Sequence, residues 1–339
     1  MKVIRFKILF AIILGVWTFS IHGQDLHYSQ FYTSPLNLNP SMTGIFNGDT
    51  RVGLNLRSQW YTNHLARYRT GSLHADTKIY PKHMRGFWSL GAIFNYDQAG
   101  DSRLGLVHFG GSGAYTYPLS RTHFISAGLM LGLAQRRFKT DDLVWDSQWN
   151  GDVVDPSLPS GEAFENLARS YVDFSGGVNY QWQKSYRKKL NLGIGAAHLN
   201  RPNQSFNAGT TNYPLDMRLA YHALAEWPLL SQLDILAHVL YQTQGPYKEL
   251  VYGGYGKLFF NQKRGKEFAL LLGLSVRHKD AVIPKVAAEW SMWYAGLSYD
   301  VNISDFQRAT GKLGGPEFAL IYRIVHVRPI RDFKTCPIY

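Results

Sequence analysis

Apolar and polar side chains take turns along much of this 339-residue chain, with a period of two. In the first clear case Val52, Leu54, Leu56 and Trp60 alternate with Arg51, Asn55, Arg57 and Gln59. Successive side chains of a strand point to opposite faces, so this spacing gives one face suited to an apolar medium and one suited to water. Val172, Phe174, Val178, Tyr180 and Trp182 alternate likewise with Asp173, Ser175, Gly177, Asn179 and Gln181. So do Leu215, Met217, Leu219, Tyr221 and Trp227 with Asp216, Arg218, His222 and Glu226. Near the end, Trp293, Leu297, Tyr299, Val301 and Ile303 alternate with Tyr294, Ser298, Asp300 and Asn302. Turn-bounded segments of this kind predict strands near residues 50–60, 67–78, 87–97, 103–117, 122–138, 171–183, 189–198, 214–227, 233–243, 248–260, 266–277, 280–290, 292–304 and 317–327.

A soluble β-sandwich alternates too, but its apolar face must fit a closed core. Strands of about 9–11 residues that end in aromatics fit a bilayer instead. The predicted fold is therefore all-β, a transmembrane antiparallel β-barrel of about 14 strands, an even number as bacterial barrels have. Connection lengths agree in part. Short ones follow even strands (118–121, 228–232, 261–265) and long ones follow odd strands (139–170, 199–213, 305–316), although 245–247 is a short odd one. No later apolar run is long enough for a membrane helix, and mean hydropathy is −0.22.

The N-terminus predicts export. Lys2, Arg5 and Lys7 precede an apolar run over residues 8–19, and residues 20–23 are small or polar. That is the layout of a secretory signal peptide cleaved near Gly23, and the run is too short for a spanning anchor of about 20 residues. No cysteine follows it, which excludes a lipoprotein anchor. Export also removes three cations from a formal charge of +12, leaving about +9 and weakening a nucleic-acid reading. The single cysteine, Cys336, cannot close an intrachain disulfide, and no His/Cys spacing points to zinc.

Signatures of chemistry are scarce, so no enzyme, cofactor or metal is expected. Gly111-Ser112-Gly113 lacks the final glycine of a nucleophile elbow, since Ala114 stands there. His108, His198 and His238 fall within predicted strands, where lumen or girdle positions account for them. The long loop carries Asp141, Asp142, Asp146, Asp152, Asp155, Glu162 and Glu165 without EF-hand spacing, which reads as a solvated face before a calcium site or docking surface. Several inferred periplasmic turns are basic: Lys82 and Arg85; Lys184, Arg187, Lys188 and Lys189; Lys263, Arg264 and Lys266. These suit an acidic periplasmic partner and the headgroups of outer-membrane lipids equally.

Residues 24–44 read QDLHYSQFYTSPLNLNPSMTG. This resembles the opening of PorP/SprF proteins through Gln24, Asp25, Ser29, Gln30, Phe31, Tyr32, Pro35, Leu36, Asn39, Pro40, Thr43 and Gly44. Arg57, Gln59 and Trp60 are similar to the family's Arg-x-Gln-Trp strand, residues 155–162 to a frequent loop segment, and residues 299–302, 314–318 and 336–337 to its closing motifs. Leu26, Ser41 and Pro316 depart from the commoner choices. The resemblance implies a cell outer membrane barrel that works with the Bacteroidetes type IX secretion and gliding machinery. Its implied partners are type IX secretion components and a secreted cargo, such as the C-terminal region of an adhesin.

Physically, residues 24–48 are too rich in Pro and Asn for a spanning strand. Gln30, Phe31, Tyr32, Pro35, Leu38, Asn39 and Pro40 are thus the candidate plug or partner segment, either in the lumen or as a periplasmic contact. In the blander version Phe31, Tyr32 and Leu38 seal one barrel mouth. The expected division is a signal peptide at 1–23, the plug or contact segment at 24–49, and the barrel at 50–339 with a periplasmic C-terminal tail. The alternative functions are a porin or hydrophobic-substrate channel and, third, a barrel hydrolase.

Overall fold

The computed structural model describes residues 25–59, 68–100, 102–140, 143–161, 167–206, 213–263, 265–304 and 313–325. The expected signal segment, Trp60 and the expected periplasmic tail with Cys336 lie outside them. The alternating segments form fourteen strands: β1 (Thr50–Gln59), β2 (Tyr68–Ile79), β3 (Phe87–Ala99), β4 (Leu104–Pro118), β5 (His123–Arg137), β6 (Ala168–Ser185), β7 (Lys188–Ala197), β8 (Arg218–Leu230), β9 (Leu233–Gln244), β10 (Tyr247–Asn261), β11 (Phe268–Arg277), β12 (Ala281–Trp290), β13 (Trp293–Asn302) and β14 (Leu313–Ile324). Each pairs antiparallel with its neighbours in sequence, and β1 closes on β14 from Thr50↔Ile324 to Arg57↔Glu317. Closure matters because an open edge in hydrocarbon would leave backbone groups unpaired.

The period-two pattern becomes an inside and an outside. Along β5 the exposed side chains are Ile125, Leu129, Leu131 and Leu133, while Ser126, Met130 and Ala134 between them are buried. Along β1, Val52 and Leu56 face out, and Arg51, Asn55 and Arg57 are buried inward. Leu129 is 70% exposed and Leu272 67%, in an apolar band around the barrel that suits lipid. No helix among the described residues is long and apolar enough to cross a membrane.

The two barrel ends differ. Connections 80–86, 119–122, 186–187, 231–232, 262–267 and 291–292 gather at one end, none longer than seven residues. The other end carries 138–167, 198–217 and 303–312. An aromatic girdle rings the short-turn end. Its pairs include Trp88 with Tyr115 (4.8 Å), Trp182 stacked on Trp227 (5.8 Å), Trp290 stacked on Trp293 (6.2 Å) and Trp293 with Tyr322 (4.4 Å). Lys188 Nζ lies 3.5 Å from the centroid of Trp227, a cation–π contact at that interface.

Some boundaries differ from the sequence reading. β8 begins at Arg218, because Leu215 turns inward and its N–H bonds to Pro202 O at 2.9 Å. β14 begins at Leu313, so Pro316 lies inside a strand and not in the preceding loop. Gly314 and Gly315 permit this: a Cβ there would lie 2.3 Å from Asp300 O and 1.8 Å from Ser58 O. His198 falls just outside β7, with φ of 58°.

A candidate binding site in the barrel lumen

The Pro- and Asn-rich N-terminal segment cannot keep a ladder, since Pro35 and Pro40 lack the donor, and it folds into short turns instead. A 3-10 turn (Phe31–Thr33), the one-turn helix α1 (Pro35–Leu38) and a second 3-10 turn (Pro40–Met42) follow one another. The Asn39 side chain accepts from Ser41 N at 2.9 Å and so caps the second turn. The whole segment lies inside the barrel, entering near the long-loop end and leaving at the short-turn end, where β1 starts.

At the long-loop end Asp25 is held by His198 (3.0 Å) and Arg218 (2.9 Å), and His198 is held in turn by Asp173 (2.9 Å). Burial would lower the His198 pKa, but Asp25 and Asp173 reverse this and raise it to about 9. Asp25 itself sits below the usual carboxylate range, because Arg218 and His198 outweigh its burial. His27 is lowered to about 4 by burial and by Arg57. One turn further in, Glu317 accepts both Ser29 N (2.7 Å) and Gln30 N (2.8 Å). Asp300 accepts from Ser29 Oγ (2.6 Å), Arg57 (2.7 Å) and Arg277 (3.0 Å), and Lys285 donates to Ser29 O at 3.1 Å.

At mid-height the wall makes room with glycines. A Cβ on Gly128 would lie 2.6 Å from the Pro40 carbonyl, one on Gly177 2.1 Å from Asn39 Oδ1, and one on Gly195 2.5 Å from Leu38 O. Phe31 and Leu38 pack on Ala220, Leu240 and Val251, and Tyr32 meets His238 and Tyr255. These aromatics therefore fill the middle of the lumen and do not seal a mouth, because that is where the wall offers apolar side chains. Ser112 hydrogen-bonds Thr43 Oγ1 at 2.9 Å, which gives the glycine-flanked serine a packing role. At the short-turn end Gly44, at φ +80°, donates to Asp76 (2.7 Å), Arg51 pairs with Asp76 (2.8 Å), and Lys78 donates to Phe46 O (2.6 Å).

The family model for type IX secretion system membrane protein PorP/SprF matches residues 20–314. The chain belongs to this family. The match covers the N-terminal segment just described and thirteen of the strands; Glu317, Cys336 and Pro337 lie beyond it. A comparison with curated protein sequences gave no match. Among solved structures, a Pseudomonas aeruginosa FadL homologue aligns with a TM-score of 0.50 at 10% identity, over 84% of this chain and 92% of that one. The Ralstonia pickettii toluene transporter TbuX aligns with a TM-score of 0.49 at 10% identity, over 87% and 94%. At such identity the first likeness shows the fold alone.

Within this PorP/SprF barrel the segment does not fill the lumen evenly. Leu36 packs tightly on Ile93 and Met130, on the β3–β5 side. On the opposite side a cavity of about 200 Å³ lies between Tyr32, Met42 and Ile45 of the segment and the wall from β7 to β14. Nothing in the sequence marks Arg277 or Lys285, and Asp25 and Glu317 stand out only through the family resemblance, whereas alternation puts Arg57, Asp173, Arg218 and Asp300 on the polar face. Nothing local marks which inward charge meets the segment.

Other expected features sort more simply. Among the described residues no three His, Cys, Asp or Glu side chains gather as a metal site. In the long loop Asp155 accepts from its own neighbour Ser157 (2.9 Å to N, 2.6 Å to Oγ), which lowers its pKa, while Asp141, Asp142, Glu162 and Glu165 lie outside the described residues. A Ser–His pair does occur, Ser275 with His238 at 2.7 Å, but Ser275 is fully buried and His238 is packed against Phe31, Tyr32 and Tyr255. The basic turns collect at the short-turn end, except Arg264, which lies outside the described residues.

Proposed function

We propose that this chain is a non-catalytic barrel of the cell outer membrane that serves the type IX secretion and gliding machinery by docking or retaining a surface protein such as an adhesin. The family match supports the secretion role. The observation that carries the docking mechanism is the occupied lumen: residues 25–48 thread the barrel and are held by Glu317, Asp300, Arg57 and Arg218. A barrel so filled works through its rims and loops. Short turns belong on the periplasmic side, so the basic rim faces the periplasm and is the docking face for secretion components. Affinity purification from native membranes in mild detergent tests this. Type IX components should co-purify; recovery of lipid alone contradicts the reading.

A second reading, a porin or hydrophobic-substrate channel, draws on the cavity beside the segment. Solute permeation into liposomes, together with normal adhesin display in a deletion strain, would favour it. The non-catalytic character is tested separately by an esterase assay. Turnover that is lost in Ser275→Ala would overturn it.

A further inference from the structure

The lumen cavity has a chemistry that the plug leaves unanswered. Its deeper walls are apolar, from Tyr32, Leu236, Leu271 and Ile321. Asn191 also lines it, is 7% exposed, and its Oδ1 has no hydrogen-bond partner. An acceptor buried without a donor costs about 1–3 kcal/mol, so Asn191 leaves this part of the wall in need of an N–H or O–H. The opening lies at the short-turn end, where Lys189, Glu226, Glu289 and Arg323 line it. Lys189 pairs with Glu226 at 2.7 Å, Lys257 with Glu289 at 2.6 Å and Glu226 at 3.5 Å, and Arg323 only loosely with Glu289 at 3.6 Å. Three cations face two carboxylates, so this opening is short of one negative charge.

We propose that the cavity receives the C-terminal residue of a polypeptide entering from the short-turn end. Its apolar side chain fills the cavity, its main-chain N–H satisfies Asn191 Oδ1, and its terminal carboxylate takes the free donors of Arg323 beside Lys189. The three requirements together select this ligand. A fatty acid brings an apolar body and a carboxylate but no donor for Asn191, and an internal peptide segment brings no terminal charge. At about 200 Å³ the space falls below the roughly 300–1,000 Å³ of drug-sized pockets and matches a single residue. This inference rests on the reading that the barrel handles secreted polypeptides, and it assigns them a place on the wall.

The test uses the full chain in lipid nanodiscs and a fluorescein-labelled peptide, Gly-Ser-Gly-Ser-Gly-Phe, with a free C-terminus. Fluorescence anisotropy should show saturable binding. The C-terminal amide should bind at least about tenfold more weakly, the equivalent of one charge-assisted hydrogen bond. Asn191→Leu and Arg323→Gln should each weaken the peptide by a similar factor, and decanoate should not displace it at equal concentration. Leu236→Trp, which fills the cavity without touching its polar groups, should abolish binding and serves if the first variants do not fold. Equal binding of the amide, displacement by decanoate, or unchanged binding by Leu236→Trp overturns the assignment. If the peptide fails to bind while type IX components still co-purify, this site is wrong and the secretion reading stands. If both fail, both fall.

Discussion

Glycine and histidine do the most at the scale of single residues. Gly128, Gly177 and Gly195 sit on three adjacent wall strands where the Pro40 main chain, the Asn39 side-chain amide and the Leu38 carbonyl, respectively, come too close for a Cβ. In sequence nothing marks them, Gly177 reading only as one position on a polar strand face, because the partner that requires them lies more than 80 positions away. Gly128→Val should force the Pro40 turn off the wall, since the obstacle is backbone and cannot rotate aside. Limited proteolysis should then cut within residues 30–46, where the wild type resists. The Asp25–His198–Asp173 latch makes a pH prediction. The His198 pKa is raised to about 9, so its contribution is complete below the ordinary value near 6.5 and is lost as pH rises through 9. Asp25, held below its usual range, keeps its charge on mild acidification. Modification of Leu26→Cys, in a Cys336→Ser background, should therefore accelerate between pH 7 and 10 beyond the thiol's own titration. In His198→Gln that extra step should vanish.

For the strands, nearly everything was legible, because period two survives wherever one face meets lipid and the other meets polar groups. The failures fall where glycine or proline breaks the alternation. Gly314, Gly315 and Pro316 read as loop, yet they open β14 because Asp300 and Ser58 press against a strand with no Cβ to refuse them. Leu215 reads as strand, yet it folds inward under the loop before β8. The outward face carries a sharp energetic test. Leu129 lies midway along β5 and is 70% exposed, so Leu129→Arg should cost about 2–4 kcal/mol in bilayer folding equilibria, whereas arginine near a strand end should cost about 0–1. Equal costs at both depths would argue against a hydrocarbon surrounding.

Over the whole molecule, the barrel and its filling are complementary. Inward charges such as Arg57, Asp300 and Glu317, all under 4% exposed, are buried by the chain's own residues 27–30 and not by lipid. Removing one partner of such a cluster leaves the others uncompensated, typically at a cost of about 3–5 kcal/mol. Glu317→Gln weakens the grip on Ser29 and Gln30, and in planar bilayers it should raise the frequency of open events above a nearly closed wild type. Wild-type conductance as large as that of an open porin would contradict the plugged lumen. The presence of some segment that could not be a strand was legible from Pro35, Asn39 and Pro40. Its position in the lumen was not, since that depends on charges from β1, β8, β11 and β14 meeting only after closure.

The central claim is that greasy side chains face lipid on the outside of a closed, internally filled sheet. Spin labels placed one at a time from position 125 to 134 of β5 in liposomes test it most directly, by comparing relaxation by oxygen with relaxation by a water-soluble nickel chelate. Labels at 125, 127, 129, 131 and 133 should respond strongly to oxygen and weakly to nickel, with oxygen access peaking near 129. Labels at 126, 128, 130, 132 and 134 should respond weakly to both. Strong nickel access along the first set, or no alternation between the two, would contradict the account.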